Sequence, residues 1–266
     1  YTRACNFYYG TNAKKLIKKN IALALCGNKS IAFDNIEILS RGKKTKVINI
    51  KDIKKLPNKI KKIVLKDLKK IVFKRKNLNK YTNISKPLIM GVLNLTPDSF
   101  SDGGLFNQSK KAFTHINNMI SKGADIIDIG GESTRPGSKT IPHKVEWNRL
   151  KKTIINFKKR FPKTFLSIDT RKSYVMLNAI KYKSDLINDV SGFSYDQEAI
   201  GKIKNFNVWK VIHHMQGTPN TMQINPSYKN VLLDIYDFFE KKINTDFKNF
   251  KYKNFIIDPG IGFGKN

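Results

Sequence analysis

The residues of this 266-residue chain that could do chemistry recur at one kind of place, the polar end of a short apolar run. Leu88-Ile89-Met90-Gly91-Val92-Leu93 is apolar and of strand length, and it turns polar at Asn94. Pro97, Asp98 and Gly103-Gly104 then favour a loop over a helix. Later runs end in Glu132-Ser133-Thr134-Arg135, in Asp169, in Asn188-Asp189, in His213-His214-Met215 and in Asp258. Acids and amides gathered at one mouth suit a ligand rich in ring N–H and amino donors. A carboxylate can accept two parallel hydrogen bonds from a guanidine-like edge, which gives both energy and orientation.

Each residue also has a plainer reading. Asp169 and Asp258 could be strand-end turn formers or helix caps. Asn188 could satisfy backbone groups, Asp189 reads as structural, and Asp98 and Asp102 could order a loop. His213 and His214 fit no metal-binding spacing such as His-Glu-x-x-His, so satisfied imidazoles are the simpler reading. Met215 alone would be core filler, and Arg135 a solvated loop charge. Gly260-Ile-Gly-Phe-Gly-Lys265 lacks the first glycine and the final Ser or Thr of a Walker loop, because Pro259 and Asn266 stand there.

The elements that must position these groups follow from periodicity. Strands are expected at Leu88–Leu93, Asp125–Gly130, Phe165–Asp169, Asp185–Val190, Val208–His213 and Asn254–Asp258. Between them lie helical stripes: Ala112, Phe113, Ile116, Met119 and Ile120 after a capping Ser109, then helices near 142–160, 172–182 and 227–248. Apolar strands alternating with amphipathic helices indicate a parallel sheet covered by helices. An open doubly wound sheet satisfies the same pattern. A (β/α)8 TIM barrel is favoured because polar groups follow all six strands, as if every strand end faced one mouth. Six of its eight βα units are present, so two more are expected beyond Asn266.

Residues 1–85 read as a separate small α/β region and 86–266 as the barrel. In the first region, strands are expected at 30–39 and 46–50 around Arg41-Gly42-Lys43. A helix over 58–74 would carry Ile60, Ile63, Val64, Leu68, Ile71 and Val72. Nothing there has catalytic form, and a packing or oligomerising role is the simpler reading.

The bulk numbers set the class. With 40% apolar and 11% aromatic residues, the chain can bury a sizeable core. No apolar run approaches the roughly 18–20 residues that span a bilayer, so no membrane partner is expected. Cys5 and Cys26 make neither a disulfide framework nor a metal spacing, which suits a reducing compartment and a cytoplasmic location. The net charge of +31 invites a nucleic-acid reading. Basic clusters with interleaved aromatics are not evident, so nucleic acid is not expected as a partner. The charge reads as solvated surface with steering of anionic substrates added.

The motifs resemble those of the dihydropteroate synthase family. Gly91-Val-Leu-Asn-Leu-Thr-Pro-Asp-Ser-Phe-Ser-Asp-Gly104 is similar to that family's first signature, and Gly123-Ala-Asp-Ile-Ile-Asp-Ile-Gly-Gly-Glu-Ser-Thr-Arg-Pro-Gly-Ser138 to its second. Ser167–Thr170, Ile187–Gly192, His214–Gly217 and Asp258–Lys265 follow in the family's order. The resemblance spans roughly Pro87 to Asn266. It implies a barrel that condenses 6-hydroxymethyl-7,8-dihydropterin diphosphate with 4-aminobenzoate, releasing pyrophosphate, and it implies a homodimer.

Carried onto matching positions, the resemblance implies a pterin pocket of Asp169, Asn188, Asp258 and Met215, with Phe263 packing near the ring. It implies Mg²⁺ on Asn94, a hard oxygen ligand for a hard ion, with Thr134 and Arg135 nearest the anion. Asp169 would also steady the pterin methylene cation left when pyrophosphate departs. The family's pocket lysine, and its Arg and His for pyrophosphate, would lie beyond Asn266. A methyltetrahydrofolate:corrinoid methyltransferase would share the Asp and Asn grip but has no use for a pyrophosphate-handling loop. The Ser133–Gly137 and Asn94–Gly104 motifs therefore favour the synthase.

Overall fold

The computed structural model describes residues 1–78, 86–96, 105–133, 138–218 and 221–265, with no account of the side chains of 105–109. The chain divides into two compact units, Tyr1–Lys86 and Pro87–Asn266.

The first unit is built on a long central strand. Strand β3 (Asn28–Ile38) pairs antiparallel with β1 (Thr2–Tyr9), with β2 (Leu23–Leu25) and with β4 (Lys46–Asn49). Helix α1 (Gly10–Lys18), a 3-10 turn (Ile50–Lys55) and helix α2 (Asn58–Val72) complete it. Its core gathers Phe33, Ile36, Ile53, Leu56 and Val64. The β3–β4 hairpin and α2 stand close to where periodicity places them. Within α2 the buried stripe is narrower than the sequence suggests: Leu68, Ile71 and Val72 join Val64, whereas Ile60 and Ile63 are exposed. Strand β1, α1 and β2 escaped the sequence reading. Strand β1 buries only Ala4 and holds its place through its backbone ladder to β3, so it carries no alternation to detect.

The second unit is a six-stranded parallel sheet. Its strands are β5 (Met90–Asn94), β6 (Ile126–Gly130), β7 (Phe165–Asp169), β8 (Leu186–Asp189), β9 (Trp209–His213) and β10 (Phe255–Asp258). Helices α3 (Leu105–Ser121), α4 (His143–Arg160), α5 (Ser173–Lys181), α6 (Ala199–Ile203) and α7 (Val231–Thr245) follow the first five strands in turn. The strands pair strictly in chain order, β5 to β10, all parallel. A doubly wound sheet reverses its order at a switch point. None occurs here, and the sheet is the wall of a (β/α) barrel.

The two faces of this sheet differ chemically. Leu93, Ile127, Ile129, Leu166, Ile168, Ile187 and Ile212 point to one side, where they meet Ile116, Leu150, Ile154, Phe157, Val175 and Met176 from the helices. Burying each such side chain contributes about 1.5–3 kcal/mol, so this layer is the main stabiliser of the unit. Successive strand residues alternate faces, so Asn94, Asp128, Ser167, Asp169, Asn188, His213 and Asp258 share the opposite side.

Two expectations are corrected. Helix α3 begins at Leu105, which places Ser109 inside the helix rather than at its cap. Helix α6 is only five residues long and lies below the length that periodicity resolves.

Candidate functional site

Register, rather than mere proximity, assembles the polar face. Asn94 stands opposite Gly130, Gly130 opposite Asp169, and Asp169 opposite Asn188. Parallel strands in register point paired residues the same way, so three of the residues expected in the site stand in one row at the strand ends. Position 130 is closely flanked there. A Cβ on Gly130 would lie 3.2 Å from Asn94 Oδ1 and 3.4 Å from Asp169 Oδ2.

The row continues from Asn188 to Val211 of β9 and Ile256 of β10, and Asp258 stands on the same face two positions beyond it, opposite His213. Its Oδ1 accepts the Gly260 N–H at 2.8 Å, and its Oδ2 lies 4.0 Å from His213 Nε2. The turn-forming and ligand-facing readings of Asp258 therefore coexist, because one oxygen is engaged in the turn while the side chain stays about half exposed. That turn needs its glycine. Gly260 has φ +67°, and a Cβ there would lie 2.0 Å from the His214 carbonyl oxygen.

His213 is buried and its Nδ1 is 2.8 Å from the Val190 carbonyl oxygen. The carbonyl can only accept, so that nitrogen carries the proton. The Phe263 ring stands edge-on to it at 4.7 Å, which places Phe263 beside the strand ends of β9 and β10. His214 points the other way, edge-on to Phe238 at 4.7 Å, and its Nδ1 has no hydrogen-bond partner among the described residues. Burial holds both imidazoles below their ordinary value, His214 at about 4. Both are neutral packing groups. Met215 follows them and is half-buried.

Lys265 bridges the carbonyls of His214 (3.2 Å) and Phe263 (2.8 Å). Tyr228 donates to the Gly264 carbonyl at 2.6 Å, so the loops after β9 and β10 are tied together.

The acids divide by environment. Burial raises Asp169 well above the ordinary carboxylate value, and the nearby charges of Asp128, Asp189 and Glu146 raise it further against the pull of Arg171. Asp189 faces the helices and accepts from the Ser191 N–H, the Ser191 hydroxyl and the Phe193 N–H. Burial nonetheless moves it up to about 6. Its bonds all go to the loop after β8, in keeping with a structural role.

Several residues of the site region were given no role by the sequence, although Asp128, Ser167 and Glu132 fall within its motifs. Asp128 and Ser167 sit mid-strand, two positions before Gly130 and Asp169, on the same face. Arg171 and Lys172 follow β7 and meet Glu132 at 2.8 and 2.9 Å. Lys172 also reaches Glu146 of α4 at 2.6 Å. Glu132 accepts the Ile141 N–H at 3.0 Å, joining residue 132 to residue 141. Burial pushes the Glu132 carboxyl up, but its bonds from Arg171, Lys172 and Ile141 outweigh this and hold it below the ordinary value. Thr134 and Arg135 lie outside the described residues, as do Asp98 and Asp102.

For a metal, Asn94 is the exposed oxygen donor of the row. No group of three or more His, Cys, Asp or Glu side chains suited to a metal occurs among the described residues. One amide oxygen beside a carboxylate is too little for an all-protein cage. It does fit a Mg²⁺ that arrives mostly on substrate phosphates.

A row of acids and amides at the strand ends of a parallel barrel wall is the arrangement of a barrel enzyme's binding site. Comparison with known proteins agrees: residues 90–266 match the model of pterin binding enzymes. The dihydropteroate synthase of Haemophilus influenzae is 41% identical over 189 residues, covering 71% of this chain and 68% of that protein. Among solved structures, the dihydropteroate synthase of Clostridium difficile, obtained in the presence of pteroic acid, superposes with a TM-score of 0.61 at 38% identity. That match covers 68% of this chain and 66% of the other. The Xanthomonas albilineans dihydropteroate synthase with 4-aminobenzoic acid gives 0.61 at 33% identity, covering 70% and 65%. The chain belongs to the pterin-binding enzyme family, among the dihydropteroate synthases, and spans about two thirds of the length of these relatives.

Proposed function

We propose that the chain supplies the pterin-binding part of a dihydropteroate synthase, which joins 6-hydroxymethyl-7,8-dihydropterin diphosphate to 4-aminobenzoate with release of pyrophosphate in folate synthesis. The single observation that carries this reading is the row of Asn94, Asp169 and Asn188 in one register, with Asp258 on the same face of the sheet at the end of β10. The Clostridium difficile and Xanthomonas albilineans relatives, solved with pteroic acid and 4-aminobenzoic acid respectively, support both substrate classes.

On this reading Asp169 and Asn188 hold the pterin edge, and Asp258, Met215 and Phe263 border the ring. In its ionised form Asp169 would also stabilise positive charge as the pterin methylene loses pyrophosphate, as a fixed carboxylate near a developing cation does. Asn94 would hold Mg²⁺, which supplies positive charge at the departing pyrophosphate. Thr134 and Arg135 are the candidates for contact with that anion. The free state of Cys5 and Cys26 agrees with a reducing, cytoplasmic setting.

Titration of this chain with the pterin diphosphate tests the reading. We expect saturable binding, a loss of at least tenfold in Asp169→Asn, corresponding to about 1.4 kcal/mol, and weakening by a chelator in the parent but not in Asn94→Ala. Absence of pterin binding in the folded chain would sink it.

A further inference from the structure

Behind the row of ligand-facing groups lies a second, buried layer. Asp128 is 4% exposed and sits between two donors. Its Oδ1 accepts the hydroxyl of Ser167, itself fully buried, at 2.5 Å. Its Oδ2 accepts Nδ2 of Asn188 at 3.0 Å. All three residues come from adjacent strands, β6, β7 and β8, and lie on the face of the sheet that carries the site.

This arrangement decides a question that a carboxamide leaves open. An asparagine side chain can present either its NH₂ or its carbonyl by a half-turn of the amide. A carboxylate accepts hydrogen bonds only. With an ionised Asp128 behind it, Asn188 aims its NH₂ at Asp128, and its carbonyl is left to accept from another donor. The Ser167 hydroxyl, donating to the other oxygen, keeps the Asp128 carboxylate from rotating.

We infer that Asp128 is a positioning residue that sets the hydrogen-bonding polarity of Asn188, so that Asn188 accepts from the ligand. This deepens the pterin reading and rests on it: an acceptor at position 188 selects a ring edge carrying N–H or NH₂ and rejects one carrying a carbonyl. Asp128 touches no ligand itself. Its influence passes through Asn188.

The experiment combines a binding cycle with a readout that needs no ligand. Affinity for 6-hydroxymethylpterin is measured by quenching of pterin fluorescence for the parent chain, Asp128→Ala, Asn188→Ala, the double variant and Asp128→Asn. We expect Asp128→Ala to weaken binding on the order of tenfold, as loss of a charge-assisted orienting bond should. The same change should cost nothing further in the Asn188→Ala background, because the two residues act as one unit. Asp128→Asn should fall between the parent and Asp128→Ala, since an amide can offer Asn188 either its carbonyl or its NH₂.

In parallel, ¹⁵N NMR follows hydrogen exchange of the Asn188 side-chain amide without pterin. The amide should be protected in the parent, less protected in Asp128→Asn, and exposed to exchange in Asp128→Ala. An unprotected Asn188 amide in the parent, or an Asp128→Ala loss that persists undiminished in the Asn188→Ala background, would overturn the inference. Protection of the amide in a chain that binds no pterin would instead locate the failure in the functional reading.

Discussion

At the scale of single residues, burial decides which titratable groups carry charge. His213 and His214 are both held below their ordinary value by burial, His214 at about 4. The unfolded chain takes up protons near about pH 6.5, the ordinary imidazole value, while the folded chain resists until lower pH. The unfolded state therefore binds more protons in this window, and stability falls as pH drops from about 6.5 towards 4. Urea unfolding midpoints at pH 7 and pH 5 check this. His214→Phe, which keeps the aromatic contact with Phe238 and removes the titration, should narrow the difference between them. An equally steep acid limb in that variant would assign the proton uptake elsewhere.

Residue types and order made Asn94, Asp169, Asn188 and Asp258 legible in the sequence, because each ends an apolar run. Asp128 and Ser167 were legible in principle. A polar residue two positions before a strand end shares its face, yet attention confined to strand ends passes over it. Arg171 and Lys172 carried no such signal. Basic residues are so abundant in this chain that only their contacts with Glu132 and Glu146 distinguish them.

At the scale of elements, α4 is fixed by two unlike devices. Trp147, Leu150, Ile154 and Phe157 form a buried apolar stripe, as periodicity predicts. Glu146, in its first turn, is fully buried and pairs with Lys172 at the end of β7. Its Oε1 has no hydrogen-bond partner among the described residues. Removal of Glu146 leaves Lys172 with Glu132 as its partner, so the loss should be smaller than the about 3–5 kcal/mol of a fully stranded buried charge. Glu146→Ala should lower the urea midpoint accordingly, whereas Glu146→Leu combined with Lys172→Met should recover most of the loss. A Glu146→Ala chain as stable as the parent would show that the pair contributes nothing.

The barrel strands were readable in advance as near-continuous apolar runs buried on both faces, and the long helices by their one-sided apolar stripes. Strand β1 and helix α6 were not: one is held by backbone pairing with little burial, and the other is too short to show a period.

At the scale of the whole molecule, two units with separate cores divide the work unevenly. Every residue of the candidate site lies within Pro87–Asn266. The charge does not follow the site: residues 1–86 carry 24 Lys and Arg against 4 Asp and Glu, and residues 87–266 carry 27 against 16. An uncharged pterin is indifferent to that field, so deletion of residues 1–86 should leave its affinity within about twofold, well under 1.4 kcal/mol. Fluorescence titration of the shortened chain measures this, and a tenfold loss would bring the first unit into the site. In the sequence, a polar stretch separates the end of the α2 helical stripe from the start of the barrel's strand pattern. The sequence was silent on why the units are joined.

Gly130 carries one more consequence. It is the bare link in the row, with a polar side chain on either side and only backbone between them. Such a notch admits something slim lying flat and resists anything puckered, so the missing methyl acts as a thickness gauge. Gly130→Ala would set that methyl 3.2 Å from Asn94 Oδ1 and 3.4 Å from Asp169 Oδ2, a squeeze that small shifts can relieve in the empty protein. The variant should therefore fold and melt much as its parent does while its grip on planar bicycles slackens, and comparison of melting temperature with pterin affinity would separate the two effects.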